Sequence, residues 1–466
     1  MTVPYWVQDQ IFYQIFPDRF ANGDSSIDLP NIQPWGTEPT IHGFQGGDLR
    51  GVIQKFDYLL DLGVTALYFC PIFMSSANHR YHTVDYYKID PRLGTKKDFK
   101  ALLDLAHSNR VKVIIDGVFN HSGRGLFQFN DILENGEESG YKDWFHIHKF
   151  PIDAYTNDTS NDYAAWWGIK DLPKFNTDTP AVRQFIFDVA RHWVEQGIDG
   201  WRLDVPAEID DDEFWAEFRE VVKTANPDAY ILGEIWEVDP RWVGDKHFDG
   251  LMNYPVRNAL LDILLGGGEV TDFADTVENL LKVYPQENVN AMYVPLGSHD
   301  TRRLLTRLDK DQNKAKLALA CQFAFPGAPA IYYGDEIGIE GDKDPQNRRA
   351  FPWEESQWNH DLHGWVKKLI AARKDSKALR RGDYRRIVAS NERQYYAFGR
   401  CLGEDQVVVV LNATEKNCRL TIPVQQLDWK DGQKVRDLLG EAYYRVQDEG
   451  VSVDLPPWGA VYLCSQ

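Results

Sequence analysis

The chain has 466 residues, 43% of them hydrophobic and 13% aromatic, with 15 Trp. One β/α barrel needs about 250 residues, so an insertion and a further domain are expected. Its 70 acidic against 51 basic side chains give a formal charge of −19, which argues against nucleic-acid backbones and anionic membranes and leaves a neutral polymer as the easier partner.

Apolar β-rich runs alternate with helical patterns from the start. Ile11 to Phe16 reads as a first strand, Leu49 to Leu62 has helical spacing, Val64 to Cys70 is a second strand, and Thr95 to Asn109 is a helix opening at an N-cap Thr. Val111 to Phe119 is strand three. Gly123 to Asp178 then breaks the rhythm, being rich in Gly, Asn, Asp and aromatics without clear periodicity. An inserted subdomain explains why Asp116 and Asp204 stand so far apart when one strand-plus-helix unit takes roughly 30 residues. A helix over Pro180 to Gln196 resumes the pattern, Pro180 suiting a first helical turn. Strands follow near Gly200 to Asp204, Tyr230 to Ile235, Gly250 to Asn253, Tyr293 to Ser298 and Ala330 to Gly334, which completes eight. The apolar stretch Leu317 to Tyr333 holds Gln322, Pro326, Gly327 and Pro329, so it reads as a helix end and a buried strand rather than a membrane span. Past a helix of Leu362 to Lys374, short β runs at Tyr395 to Arg400, Gln406 to Leu411 and Val461 to Cys464 imply an antiparallel domain. The expected fold is therefore a (β/α)8 TIM barrel over residues 1–122 and 179–378, an inserted subdomain over 123–178, and a C-terminal β domain over 379–466.

Five cysteines, at 70, 321, 401, 418 and 464, are odd in number and form no CxxC pair. A reduced, cytoplasmic chain without disulfides or structural zinc is expected. The opening Met1-Thr2-Val3-Pro4-Tyr5-Trp6 has no secretory pattern.

Asp204, Glu234 and Asp300 each close a short apolar segment, and their spacing is one and then two barrel units. Barrel active sites lie at the C-terminal ends of the strands, and a carboxylate pair there is the apparatus for cleaving a glycosidic bond. Retention of configuration needs a carboxylate nucleophile and a proton donor about 5 to 5.5 Å apart. Asp204 is expected as the nucleophile, with Arg202 two residues earlier on the same strand face holding it ionised. Glu234 is expected as the general acid, Ile235 and Trp236 supplying apolar surroundings. Asp300 would bind sugar hydroxyls.

Asp116-Gly117-Val118-Phe119-Asn120-His121, Gly200 to Glu208, Gly233 to Trp236 and Gly297 to Asp300 resemble, in order, the four signature regions of the α-amylase family of glycoside hydrolases. The resemblance covers nearly the whole chain. It implies a (β/α)8 barrel with an insertion after strand three and a C-terminal β-sandwich. It also implies Asp204 as nucleophile, Glu234 as acid/base and Asp300 as transition-state stabiliser, with Asp116, His121, Arg202 and His299 around the sugar ring under attack. Leu172-Pro173-Lys174-Phe175-Asn176, Glu234-Ile235-Trp236, the terminal Glu208 of its motif and Asn347-Arg348-Arg349 resemble the neopullulanase, cyclomaltodextrinase and maltogenic amylase subgroup. That implies Glu208, Trp236 and Arg348 as further substrate contacts. Tyr81 stands where the family often places a ring that stacks on sugar, and His82 replaces an Asp common in the subgroup.

The subgroup's extra N-terminal β domain has no counterpart before Trp6, so a dimer made through it is not expected and the cleft is expected to be more open. Asn22, Asp24, Asp28 and Asp48, with the carbonyl of Gly46, resemble a calcium site of the subgroup, and hard oxygen ligands suit that ion. The implied activity is retaining hydrolysis of α-1,4 links, with α-1,6 links also in range, in cyclodextrins, pullulan, maltooligosaccharides or starch. A 4-α-glucanotransferase or debranching enzyme would use the same residues. A carbohydrate-binding protein that has lost catalysis is the alternative of another class.

Overall fold

The computed structural model describes residues 3–156 and 158–465; Met1 and Thr2 of the opening segment lie outside them. Eight parallel strands follow the expected rhythm: β1 (Phe12–Ile15), β2 (Ala66–Phe69), β3 (Lys112–Gly117), β4 (Gly200–Leu203), β5 (Tyr230–Gly233), β6 (Gly250–Leu251), β7 (Tyr293–Pro295) and β8 (Ala328–Tyr332). They pair in the order β6-β5-β4-β3-β2-β1-β8-β7, and a single parallel bridge, Met252 to Tyr293, joins the two outer strands. The sheet is a nearly closed barrel. Strands β1 to β7 are shorter at one or both ends than their apolar runs, because the runs continue into the buried turns that lead to the helices, whereas β8 lies two residues earlier than the expected Ala330 to Gly334.

Side chains alternate along each strand, and the two faces enter different cores. Phe12, Tyr68, Ile114, Tyr230, Leu232 and Tyr293 fill the barrel interior, while Tyr13, Leu67, Ile115 and Ile231 pack outward against the helices. This alternation positions the site. Two residues after interior Ile114 comes Asp116, two after Leu232 comes Glu234, and Arg202 and Asp204 share one face of β4.

Two helical expectations need refinement. The run Leu49 to Leu62 is broken at Lys55 into Leu49–Gln54 and Phe56–Leu62. The helix after Thr95 spans Lys96–Ser108, with Thr95 and Asp98 forming a reciprocal capping box. A hairpin of Phe73–Ser75 with Thr83–Ile89, which the rhythm does not announce, follows β2 and carries Tyr81 in its turn.

The inserted segment contains a helix, Phe127–Asn135, and otherwise short turns and single bridges such as His121 to Lys174 and Ala165 to Pro173. Phe129, Phe145, Tyr163 and Phe175 form its small aromatic core, with ring centroids 5.0 to 5.2 Å apart. Single bridges have no period, which is why this segment lacks a sequence pattern.

The C-terminal domain has β9 (Asp383–Ser390), β10 (Tyr395–Leu402), β11 (Asp405–Asn412), β12 (Cys418–Pro423), β13 (Lys434–Asp437), β14 (Tyr443–Arg445), β15 (Gly450–Leu455) and β16 (Ala460–Ser465). Six strands pair as β9-β10-β11-β16-β13-β14 and two as β12-β15. Val408, Val410 and Leu463 of the larger sheet meet Leu420, Ile422 and Val453 of the smaller one in a common core, the arrangement of a sandwich. The domain is fastened to the barrel by buried polar groups: Arg400 donates to the carbonyl of Ala324 at 2.7 Å, and the Tyr462 hydroxyl donates to that of Ala320. The helix Gln312–Ala324, which β8 follows, is buried on nearly all sides because this domain covers its outer face. Among the described residues no helix is long and apolar enough to cross a membrane, and all five cysteines are free.

Candidate active site

At the C-terminal ends of the strands lies a cavity of about 700 Å³ lined by Tyr81, His121, Asp204, Glu234, Trp236, His299, Asp300 and Arg348 among others. Asp204, Glu234 and Asp300, distant in sequence, thus open onto one space.

Arg202 organises its floor. This side chain is fully buried and does not itself line the cavity. Its Nη1 donates to Asp204 Oδ1 at 2.9 Å and to Asp116 Oδ1 at 2.8 Å. Its Nη2 stands 2.9 Å from Glu234 Oε2. Asp204 and Glu234 therefore sit on the two terminal nitrogens of one guanidinium, a spacing consistent with the close carboxyl pair of retaining glycosidases. Asp116 is not a substrate contact as placed. It is sealed beneath the floor, where its Oδ2 accepts from the hydroxyls of Tyr68 and Tyr81, both at 2.7 Å.

Glu234 Oε2 also accepts the backbone N–H of Val205 at 3.0 Å, and Oε1 faces the indole N–H of Trp236 at 3.3 Å. Burial pushes the Glu234 carboxyl up to about 7, with Arg202 pulling the other way and Asp300 adding to the rise. Burial likewise drives Asp204 upward against the pull of Arg202, and the neighbouring carboxyls Glu234, Asp116 and Asp300 add to it. Arg202 touches three carboxyls, so its charge is shared rather than reserved for Asp204. The cluster titrates as a unit and keeps a proton near neutrality.

Asp300 stands between His299 and Arg348. His299 Nε2 is 3.1 Å from Asp300 Oδ2, and Arg348 Nη2 is 3.7 Å from Oδ1. Arg348 also donates from Nε to the His299 carbonyl at 3.0 Å. The His299 ring is fixed at Nδ1 by Gln14 of β1 at 2.9 Å and at Nε2 by the Tyr81 hydroxyl at 2.5 Å. Tyr81 stacks on it, centroids 5.2 Å apart and planes 8° from parallel. Burial, helped by Arg348 and Arg202, holds His299 well below the usual imidazole range, so it is neutral.

His121 lines the cavity with its Nε2 buried and without a protein partner. Burial lowers it to about 3, which leaves a neutral ring with a free nitrogen for a hydroxyl. Trp236 lies flat on Tyr254, centroids 3.7 Å apart, with 41% of its surface exposed. Glu208 does not line the cavity. Lys174 holds it, donating to its carbonyl at 2.8 Å and standing 3.4 Å from its carboxylate, so its sequence position next to the motif does not translate into contact. His82 does reach the wall, beside His79, with ring centroids 4.8 Å apart.

The wall also includes His79, Trp166, Trp167, Ile169, Leu172 and Asp344, which sequence reasoning did not assign. Only the aromatic richness of residues 123–178 hinted at the Trp pair. Asp344 pairs with Arg348 at 3.1 Å.

The calcium expectation fares differently. Asn22, Asp28 and Gly46 converge, but Asn22 Nδ2 already donates to Asp28 Oδ2 at 2.9 Å. Asp24 is taken by Arg50 and Ser26. Asp48 caps Leu49–Gln54 through the N–H of Gly51 at 2.7 Å and binds those of Gly23 and Asp24 at 3.0 and 2.8 Å. Among the described residues no group of three or more His, Cys, Asp or Glu is arranged to hold a metal ion. In this arrangement the side chains of Asn22, Asp24, Asp28 and Asp48 each have a protein partner.

A nearly closed β/α barrel with buried carboxyls on one guanidinium at its C-terminal face defines the class: a barrel glycoside hydrolase. Residues 14–380 match the α-amylase catalytic domain and residues 384–461 the maltogenic amylase C-terminal domain. A cyclomaltodextrinase of Geobacillus thermopakistaniensis is 41% identical over 98% of this chain and 77% of its own length. Ttha1563 of Thermus thermophilus superposes with a TM-score of 0.93 at 43% identity, over 99% of this chain and 100% of that one. A cyclic α-maltosyl-(1→6)-maltose hydrolase of Arthrobacter globiformis gives 0.91 at 37% identity over the whole of both chains. The chain belongs to the α-amylase family of glycoside hydrolases, among relatives named cyclomaltodextrinase, neopullulanase and maltogenic amylase.

Proposed function

We propose that this α-glucan hydrolase cleaves α-1,4-glucosidic bonds in cyclic and short linear maltooligosaccharides with retention, Asp204 attacking the anomeric carbon and Glu234 protonating the leaving oxygen. The single observation that carries this is Arg202 placing one nitrogen on each of these carboxyls at the floor of the cavity. In the first half-reaction the Asp204 carboxylate forms the C1–O bond as the glycosidic C1–O bond breaks, and the departing sugar takes the Glu234 proton. Water then attacks C1, Glu234 recovers a proton from it, and Asp204 leaves. Asp300 and Arg348 hold ring hydroxyls, and His121 offers its free nitrogen to another. Neutral His299, engaged by Gln14, Tyr81 and Asp300, fixes the groups around it, and Tyr81 and Trp236 supply faces for sugar C–H groups. The five free cysteines favour a reduced compartment for this chemistry.

The purified protein is incubated separately with β-cyclodextrin, pullulan and soluble starch, with Asp204→Asn as the blank, and products are resolved by chromatography. Rapid cyclodextrin opening, or panose from pullulan, supports the reading. Maltotriose from pullulan would move the bond preference to α-1,6, larger oligosaccharides from maltotriose would indicate glucanotransfer, and no product at all would refute catalysis.

A further inference from the structure

One aromatic array on the cavity wall runs outward beyond the groups used in the chemistry described. His121 stacks on Trp166, ring centroids 5.4 Å apart and planes 20° from parallel. Trp166 in turn stacks on Trp167, at 4.5 Å and 10°. The three rings form a continuous ladder that begins at a histidine of the catalytic floor and ends in solvent. Trp167 is 80% exposed, the most exposed large hydrophobic side chain among the described residues.

Two facts separate this indole from an incidental surface ring. Trp167 is held at φ 51°, ψ 22°, the left-handed region that a bulky L-residue adopts only when its surroundings impose it. Those surroundings are present. The amide of Gly168, itself at φ 71°, donates to the Ala165 carbonyl at 2.9 Å, its own carbonyl accepts from Ser160 at 2.9 Å, and Trp166 donates to the Leu172 carbonyl at 3.0 Å. The loop thus fixes an unfavourable backbone in order to present a ring that buries almost nothing within the chain. Secondly, Trp167, Ile169 and Leu172 line the same cavity as Asp204 and Glu234. The indole face is therefore continuous with the catalytic space, two ring spacings out from His121.

We propose that Trp167 is a sugar-stacking platform for a glucose unit beyond those at the catalytic floor, and that it makes the enzyme favour long or cyclic α-glucans over maltotriose. This rests on the hydrolase reading above. A flat apolar face suits the C–H face of a pyranose, and neutral His121 at the inner end leaves the array uncharged, which matches a neutral polymer. Trp236, flat on Tyr254, gives the cavity a second exposed indole from another element, so a chain threading the cavity meets a ring on each. Such contacts are made in ground state and transition state alike, which places the expected effect mainly on KM.

The test compares wild type, Trp167→Ala and Trp167→Phe on β-cyclodextrin, maltoheptaose and maltotriose, with thermal melting to verify folding. For Trp167→Ala, the ratio of kcat/KM on β-cyclodextrin to that on maltotriose is expected to fall about tenfold, the size of one lost aromatic contact, chiefly through KM, and Trp167→Phe is expected to restore most of it. An unchanged ratio, or an equal fall on both substrates, overturns the proposal. The binding claim is separated from the catalytic one by titrating β-cyclodextrin into Glu234→Gln and Glu234→Gln/Trp167→Ala and following tryptophan fluorescence or heat. Weaker binding by the double variant upholds the platform even if the wild type hydrolyses none of these glucans; equal binding overturns it.

Discussion

Raising the pH through neutrality tests the acid/base assignment directly, because burial places Glu234 at about 7 rather than at its ordinary 4.5. At pH 7 a carboxyl with that value is half protonated. One left at 4.5 would be protonated in only about 0.3% of molecules, so the buried site enlarges the competent acid form by about 150-fold. The kcat/KM for maltoheptaose is expected to fall about tenfold per pH unit well above 7 as the acid loses its proton, and to fall again on the acidic side as Asp204, itself driven upward by burial, takes one up. Glu234→Gln cannot donate, so its loss is expected to reach 10² to 10⁴-fold, the usual range for a positioned acid. A glycosyl fluoride, whose leaving group needs little protonation, separates the two roles: its glycosylation step in Glu234→Gln is expected to fall far less than the step with maltoheptaose. Stopped-flow release of fluoride and steady-state sugar analysis measure the two steps. A basic limb that survives unchanged in Glu234→Gln, or that lies near 4.5, refutes the reasoning.

A second buried carboxyl makes a stability prediction. Glu336 accepts the hydroxyls of Tyr13 and Tyr58 at 2.7 and 2.5 Å on one oxygen, and burial pushes it up to about 7. The folded state then holds this proton more tightly than the unfolded state, so the stability it confers is complete below pH 4.5 and is lost as pH rises through 7; the shift corresponds to about 3 kcal/mol. Glu336→Gln should gain on wild type by about 3 °C in Tm between pH 4.5 and 8.5, and a Tm difference independent of pH would remove the argument. Asp116→Asn takes a counter-charge from fully buried Arg202, which costs about 3 to 5 kcal/mol; Tm should fall by several degrees and kcat by more than tenfold, and a stable, fully active variant would show that Asp116 does not hold the floor. Because Asp24 and Asp48 are already satisfied by Arg50, Ser26 and backbone N–H groups, dialysis against EDTA should leave Tm and activity unchanged. A Tm restored specifically by calcium would show that the Asn22–Asp48 region rearranges around the ion.

Legibility in the sequence followed from whether a feature repeats. Each barrel strand is buried on both faces, so it appears as an unbroken apolar run, and the carboxyls that close those runs at unit spacing were readable as a group. The interior of the barrel then converts spacing into geometry: Ile114 and Asp116, or Leu232 and Glu234, lie on one strand face, and the pleat delivers the acid to the floor. Strand limits were less readable because the runs continue beyond the pairing. Residues set by tertiary contact could not be read at all. Glu208 follows a catalytic motif yet belongs to Lys174, since a tight turn after β4 carries it away from the cavity. Asp116 is in a signature segment, but it is fully buried and its oxygens are taken by the Arg202 guanidinium and two tyrosine hydroxyls.

The inserted segment is the limiting case, and it explains where substrate preference is decided. Its structure consists of single bridges and turns, with no period to detect, and the Trp166–Trp167 ladder depends on the left-handed geometry at Trp167 and Gly168 rather than on a motif. The floor is built differently. Arg202, Asp204 and Glu234 are fixed by strands whose register is set by two buried cores, and a shift of one residue would turn each carboxyl to the other face of the sheet. Chemistry is thereby tied to the part of the fold that tolerates least change. Recognition beyond the bond being cleaved is carried by a loop whose one aromatic can be altered without moving a barrel strand. Substitutions at Trp167 should accordingly retune chain-length preference with little cost in Tm, whereas those at Arg202 or Asp116 should lower Tm and kcat together; a Trp167 variant that melts as early as Asp116→Asn would mean that the ladder is structural.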